Sequence, residues 1–371
     1  MAQQQQQQIR AELRELWSHL SGLLEVFGDI QDRLDPPKIL EYIERLEPYA
    51  GELERVVHAL DVVRSPRDAP ETILTQAGSQ LLQAASRFRG ARTGPHEILK
   101  AFQALRPVAR ANEILFPLAT RFAEISTHFL SPGRRDDVTL QTRLLDAVAN
   151  RAVDSGNPDR GLMHFENQRG HRGGYSLYVP EYYSADRAWP VVVALHGGSG
   201  HGADFFWSWV REARAYGFIL AAPTSRDRTW SLHAPGVDAA GLNRMLTRIS
   251  DRWRVDSKRI LLNGISDGGT FSMLLSIVKQ SPFTHYAPVA AAVHVLQNRA
   301  GVVEAPVRGT RIYQVHGARD WMFPVEKARS VAAALKEAGA DITYREIADL
   351  SHNYPRDENI PMLRWFCPEL F

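Results

Sequence analysis

The spacing of apolar residues changes near residue 155, and that change divides the chain into two parts built on different periods. Ile9, Leu13, Leu16, Leu20, Leu23, Phe27, Ile30 and Leu34 recur at alternating steps of four and three, the seam of a helix that packs along its whole length. Asp35, Pro36 and Pro37 end it, because proline lacks the N–H that a helix interior needs. A second seam follows at once, Ile39, Tyr42, Leu46, Tyr49, Leu53, Val56, Leu60 and Val63, which predicts two long helices folded back as an antiparallel hairpin. More helix is expected over residues 71–88, 96–130 and 138–154, with Pro107 and Pro117 breaking the middle stretch and RGARTGP and SPGRRDD as loops. Residues 1–155 therefore read as an all-α helical N-terminal domain.

After DSGNPDRG the runs become short and strand-like: SLYVPEYY, PVVVALHGG, FILAAPTS, RILLNGIS, APVAAAVHVL, TRIYQVHGARD and ITYREIADLSH, several of them separated by helical stretches. Strands alternating with helices predict an α/β domain with a mainly parallel sheet over residues 156–371. Ligands of such sheets bind outside the carboxyl ends of the strands.

At 371 residues and 44% hydrophobic content the chain can bury two cores. Its net charge of +2 is spread over both parts, which argues against nucleic acid and anionic membrane as partners. Cys367 is the single cysteine, so neither an intrachain disulfide nor a cysteine metal cluster can form. The start, MAQQQQQQIR, has neither the charged nor the apolar region of a secretion signal, and no run of 18 apolar residues occurs, so a cytoplasmic protein is expected, with the glutamine tract as a disordered tail.

Gly264-Ile265-Ser266-Asp267-Gly268 fits G-x-S-x-G between a strand and a helix. By itself the pentapeptide fits a glycine-rich turn with a capping serine equally well. A serine nucleophile needs a base to take its proton, and His352, in a loop after the last strand-like run, is the only histidine beyond residue 316. Asp320, at the end of the preceding run, is the expected acid; Asp349 and Glu304 are its rivals, and His316 reads as structural. Oxyanion donors are expected from the amides of Asp267 and Gly198, with Ser199 a substitute, and His196 as a brace for that loop. These pieces fall at four strand ends in the order serine, acid, histidine.

LHGG, GISDGG, HGARDWMFP and LSH resemble the α/β-hydrolase superfamily, in particular its phospholipase/carboxylesterase and polyhydroxybutyrate-depolymerase-like esterases, over about residues 160–371. The resemblance implies an α/β-hydrolase fold, a triad of Ser266, Asp320 and His352, an acyl-enzyme and no cofactor. It departs at Asp267, where those esterases often carry an uncharged residue. Phe205, Phe206, Trp207 and Trp209 follow the oxyanion loop; of the aromatic residues near the site, Trp230, Trp321 and Phe206 are the expected substrate-binding walls.

The expected activity is hydrolysis of small, uncharged carboxylic esters. An acyl-thioesterase or serine peptidase on the same triad is the alternative, as is a helical partner-binding protein with a vestigial hydrolase domain. Gly198, Gly200 and Ala203 could be read as a dinucleotide loop, but the next strand lacks the acidic residue that would hold the ribose. His196, His201 and Asp204 offer a weak metal reading, and none is adopted. The short connection after AAAVHVL leaves no room for a large insertion, so the helical domain is expected to cap the catalytic domain or to assemble it into a homo-oligomer.

Overall fold

The computed structural model describes residues 11–60, 66–91, 95–150, 159–278, 281–292 and 307–371. Two compact units divide the chain, Met1–Ser155 and Gly156–Phe371. In the first, α1 (Ala11–Asp32) and α2 (Ile39–Leu60) flank a 3₁₀ turn at Pro36–Lys38. The exposed ion pairs Asp29–Arg45 at 3.1 Å and Glu15–Arg55 at 3.2 Å join the two helices in an antiparallel pairing. Leu13, Leu16, Leu20, Leu23, Phe27, Ile30 and Leu34 are all buried, as the first seam requires. The second seam needs a correction: Tyr49 is 43% exposed while Ala50 is fully buried. The Tyr49 ring instead lies over Gly22, whose Cβ, if present, would sit 3.3 Å from it.

The remaining helices of this unit are α3 (Pro70–Arg89), α4 (Pro95–Ala104), α5 (Arg106–Leu115), α6 (Ala123–His128) and α7 (Val138–Asn150). Pro107 starts α5 and Pro117 starts a 3₁₀ turn, so both prolines segment the stretch as their chemistry demands. Ile9, Val63, the glutamine tract and the stretch 151–158 lie outside the described residues, as do Glu304 and most of the connection after AAAVHVL.

The second unit is an eight-stranded sheet: β1 (Gly161–Phe165), β2 (Tyr175–Val179), β3 (Trp189–Leu195), β4 (Ile219–Pro223), β5 (Val255–Ile265), β6 (His285–Val289), β7 (Arg311–Gly317) and β8 (Asp341–Ile347), in the order 1-2-4-3-5-6-7-8. β2 pairs antiparallel with β1 and β4, and every other neighbour is parallel. Its helices are α8 (Gly202–Phe205), α9 (Val210–Glu212), α10 (Gly236–Arg252), α11 (Asp267–Ser276), α12 (Val325–Glu337) and α13 (Asn359–Phe366). Parallel register sets Leu195 beside Gly264, Ile265 beside Val289, Val289 beside Val315 and Gly317 beside Ile347. The loops that follow β3, β5, β7 and β8 therefore leave the sheet at one end. No helix among the described residues is long and apolar enough to cross a membrane.

Beneath the sheet's opposite end, His285 opens β6 as a neutral ring. Its Nδ1 lies 2.8 Å from Thr284 Oγ1, Arg311 donates to its Nε2 over 3.2 Å, and Trp365 and Phe366 meet it edge-on. Burial, helped by the Arg311 charge, pushes its pKa down to about 4. An unfolded histidine titrates near ~6.5, so the unfolded chain binds this proton first on acidification. The stability contributed by neutral His285 is complete above about pH 6.5 and is lost as pH falls to about 4. Urea midpoints measured across that window should drop in the wild type and drop less in His285→Gln.

Candidate active site

Ser266 stands between β5 and α11 with φ 54° and ψ −118°, a left-handed backbone that a residue with a Cβ adopts only under constraint. The glycines around it supply that constraint. A Cβ on Gly264 would lie 2.6 Å from the Gly268 carbonyl, one on Gly268 2.5 Å from the Leu195 oxygen, and one on Gly269 2.5 Å from the Val289 oxygen. The strand, the helix and the two neighbouring strands thus touch backbone to backbone around the serine. Ser266 N–H donates to Val289 O over 2.9 Å, and its own carbonyl accepts from the Thr270 amide and hydroxyl at 2.8 and 2.9 Å. Held on both sides, the residue sends its hydroxyl off the end of the sheet.

His352 Nε2 lies 3.0 Å from Ser266 Oγ, and His352 Nδ1 lies 2.9 Å from Asp320 Oδ2 and 3.1 Å from Oδ1. Nδ1 therefore carries the proton toward the carboxylate, and Nε2 faces the serine as the acceptor. Asp320 also accepts the amides of Met322 at 2.9 Å and Phe323 at 2.8 Å, and its side chain is wholly buried. These donors stabilise a carboxylate where water does not reach. Asp349 is exposed and His352 makes its carboxylate contacts with Asp320. The Phe323 ring, which flanks Asp320 in the sequence, meets His352 edge-on at 5.1 Å.

The loop after β3 brings two more features. Among the described residues no partner occupies the amide of Gly198 or that of Asp267, the first N–H of α11. The Ser199 amide is taken by Arg228 O at 2.7 Å, which removes it as the substitute donor. His196 braces the loop through Gly197 O at 2.7 Å and the Ser225 amide at 3.1 Å. Gly197, not singled out in the sequence, lies close to the serine: its Cβ, if present, would be 3.4 Å from Ser266 Cβ. The Asp267 carboxylate accepts a hydrogen bond from Thr229 and lies against Gly198, 2.6 Å from where a Cβ would stand. Nothing in the sequence near Thr229 signals that contact.

Of the aromatic residues expected as walls, two are corrected. Trp230 is 2% exposed, donates to His196 O over 2.8 Å and stacks on Phe271; Phe206 is 1% exposed. Burial this complete leaves both side chains almost no surface for a ligand. Trp321 is 40% exposed with its ring 6.1 Å from His352, and remains beside the site. His201 caps α8 by accepting the Ala203 amide at 3.2 Å, and Asp204 pairs with Arg169 at 2.8 Å, so the weak metal reading there gives way to local structure.

The strand order, the strained serine at the β5–α11 turn and the partners at the ends of β7 and β8 define the α/β-hydrolase fold. No family model matches the chain. It is 23% identical over 203 residues to a bifunctional acetylxylan esterase/xylanase of Neocallimastix patriciarum, an alignment that covers 53% of this chain and 28% of that protein. The chain thus spans less than a third of the length of that relative. Solved structures similar to it include Thermogutta terrifontis esterase 2 phosphorylated by paraoxon, with 16% identity, a TM-score of 0.47 and coverage of 57% of this chain and 94% of that one. Esterase PE8 aligns with 17% identity, a TM-score of 0.41 and coverage of 51% and 97%.

The glycine contacts make a direct test. Gly268→Ala must push β3 away from α11, because the obstacles are backbone oxygens of Leu195 and His196. We expect it to lower the thermal midpoint and to slow labelling of Ser266 by a fluorophosphonate roughly 100-fold. Gly51→Ala, at a helix position with nothing within 4 Å, should instead stabilise the chain by about 0.5–1 kcal/mol and leave labelling unchanged.

Proposed function

We propose that the unit Gly156–Phe371 is a serine hydrolase that cleaves small, uncharged carboxylic esters through an acyl-enzyme. The observation that carries this reading is the unbroken hydrogen-bonded series Asp320–His352–Ser266, ending on a serine in a strained turn. Ser266 Oγ attacks the ester carbonyl carbon while His352 Nε2 takes its proton. The carbonyl oxygen, now negative, accepts the amides of Gly198 and Asp267. Collapse breaks the bond to the alcohol, which leaves with the proton from His352, and Ser266 keeps the acyl group. Water then attacks the acyl carbon, with His352 as base, and restores the serine. Asp320 holds the imidazole tautomer and offsets the charge of the imidazolium.

Two features support the choice of substrate. The Asp267 carboxylate stands beside the proposed oxyanion donors, where it disfavours an anionic acyl group and not a neutral one. Trp321 offers a flat apolar face near His352, suited to a compact acyl or aryl group. The name of the similar acetylxylan esterase/xylanase points the same way. A single buried cysteine fits a reducing, cytoplasmic setting, and we assign the helical unit a role in self-association, which the mass of the full chain in light scattering tests.

Hydrolysis of p-nitrophenyl esters by the pure protein is the deciding measurement. Activity should peak between acetyl and butyryl or with benzoyl-type acyl groups and fall by octanoyl; faster turnover of acyl-CoA or of peptide amides would favour the thioesterase or peptidase alternative. Ser266→Ala and His352→Ala should each cost about 10⁶-fold in kcat, Asp320→Ala about 10⁴-fold, and Asp349→Ala almost nothing. A fully active Ser266→Ala protein would end the serine-hydrolase reading.

A further inference from the structure

The turn after β7 holds a second histidine against the carboxylate that faces His352. His316, buried near the end of β7, donates Nε2–H to the carbonyl oxygen of Phe323 over 2.9 Å, and the same nitrogen lies 3.4 Å from Asp320 Oδ2. Its other ring nitrogen, Nδ1, is buried with no hydrogen-bond partner among the described residues. A ring with one unmatched nitrogen is a poor core filler, because an aliphatic side chain would take the same space without a dry polar atom. The loss falls on Nδ1, so the feature that justifies a histidine here is the Nε2–H.

Phe323 shows what that N–H holds. Its amide donates to Asp320 Oδ1 over 2.8 Å, its carbonyl takes the His316 proton, and its ring lies edge-on to the His352 imidazole. One residue is gripped from both sides and touches both acid and base. We propose that His316 is a positioning residue for the Ser266 chemistry: by holding the Phe323 carbonyl it fixes the turn that presents Asp320 and the Phe323 ring to His352. This rests on the serine-hydrolase reading above. Burial lowers the basicity of His316, so the ring stays an uncharged clamp and does not become a second cation competing for Asp320.

H316N and H316Q, each in the full chain, separate this role from packing. Glutamine carries its amide nitrogen to the place of the imidazole Nε2, whereas asparagine carries it only to that of the unpartnered Nδ1. H316N should lower kcat for p-nitrophenyl acetate roughly 10- to 100-fold with KM within about two-fold of wild type, and broaden the low-field proton resonance of His352 Nδ1–H. H316Q should keep that resonance and recover most of the rate. If asparagine prevents folding, H316M, which fills the space without an N–H, carries the same expectation. A wild-type rate and resonance in H316N, or equal losses in both variants with the resonance unmoved, would overturn the proposal. The resonance is read without substrate. Loss of the signal in H316N alone, in a protein that turns over no ester, would sustain the positioning role while the ester reading fails.

Discussion

A single backbone conformation governs the second unit: Ser266 at φ 54°, at the point where β5 becomes α11. A side chain in the left-handed region costs roughly 1–3 kcal/mol and persists only where surrounding structure over-determines it. Here β3, β5, β6 and α11 all meet that turn through backbone, and Gly264, Gly268 and Gly269 are glycines because any Cβ would land on a carbonyl. The turn in turn sets the first N–H of α11 beside the loop after β3. Strand order, glycine placement and the direction of the serine hydroxyl are therefore one constraint seen at three scales.

Beneath the turn runs a buried polar network that ties the serine's strand to the histidine's loop. Asn263, on β5, accepts the Trp209 indole N–H at 3.0 Å and donates to Ala287 O at 2.8 Å. The Tyr354 hydroxyl, two residues past His352, lies between Asn263 Oδ1 at 3.0 Å and Asn359 Oδ1 at 2.8 Å. Asn359 donates onward to Ser208 O at 2.7 Å. Polar groups this deep are tolerable only when matched, and matched they admit one geometry. The loop that carries His352 is thus located by β5 itself, independently of the bond between His352 and Ser266.

Much of this was legible in the residues, and the reason differs from place to place. Glycine at Gly264 and Gly268 marks a backbone contact, which no other residue type could satisfy, so the pattern carries three-dimensional information. The order of Ser266, Asp320 and His352 could be read because each sits where an apolar run stops. Aromatic residues gave no such signal: Trp230 and Trp321 both stand in loops, yet one is sealed between His196 and Phe271 and the other is open. Heptad counting could not choose Ala50 over Tyr49, one step apart, because it does not see that the Tyr49 ring lies over Gly22 across the hairpin. β1 was missed for want of β-branched residues in GLMHF; its pairing with β2 makes it a strand. Thr229 reaches Asp267 across 38 residues, a distance over which spacing says nothing.

The separation between Ser266 and His352 along the chain has a bearing on when the two side chains can meet. Ser266 and His352 are 86 residues apart, and the strands between them join by parallel pairing, β5 to β6 to β7 to β8. Such contacts close long loops and are intrinsically slow to form. In a chain made from its N-terminus, Ser266 is synthesised before the last strand and the imidazole exist. Through that interval the serine is an ordinary alcohol, and on the reading proposed above it gains its reactivity only when the sheet's final strand has docked and brought the histidine loop with it.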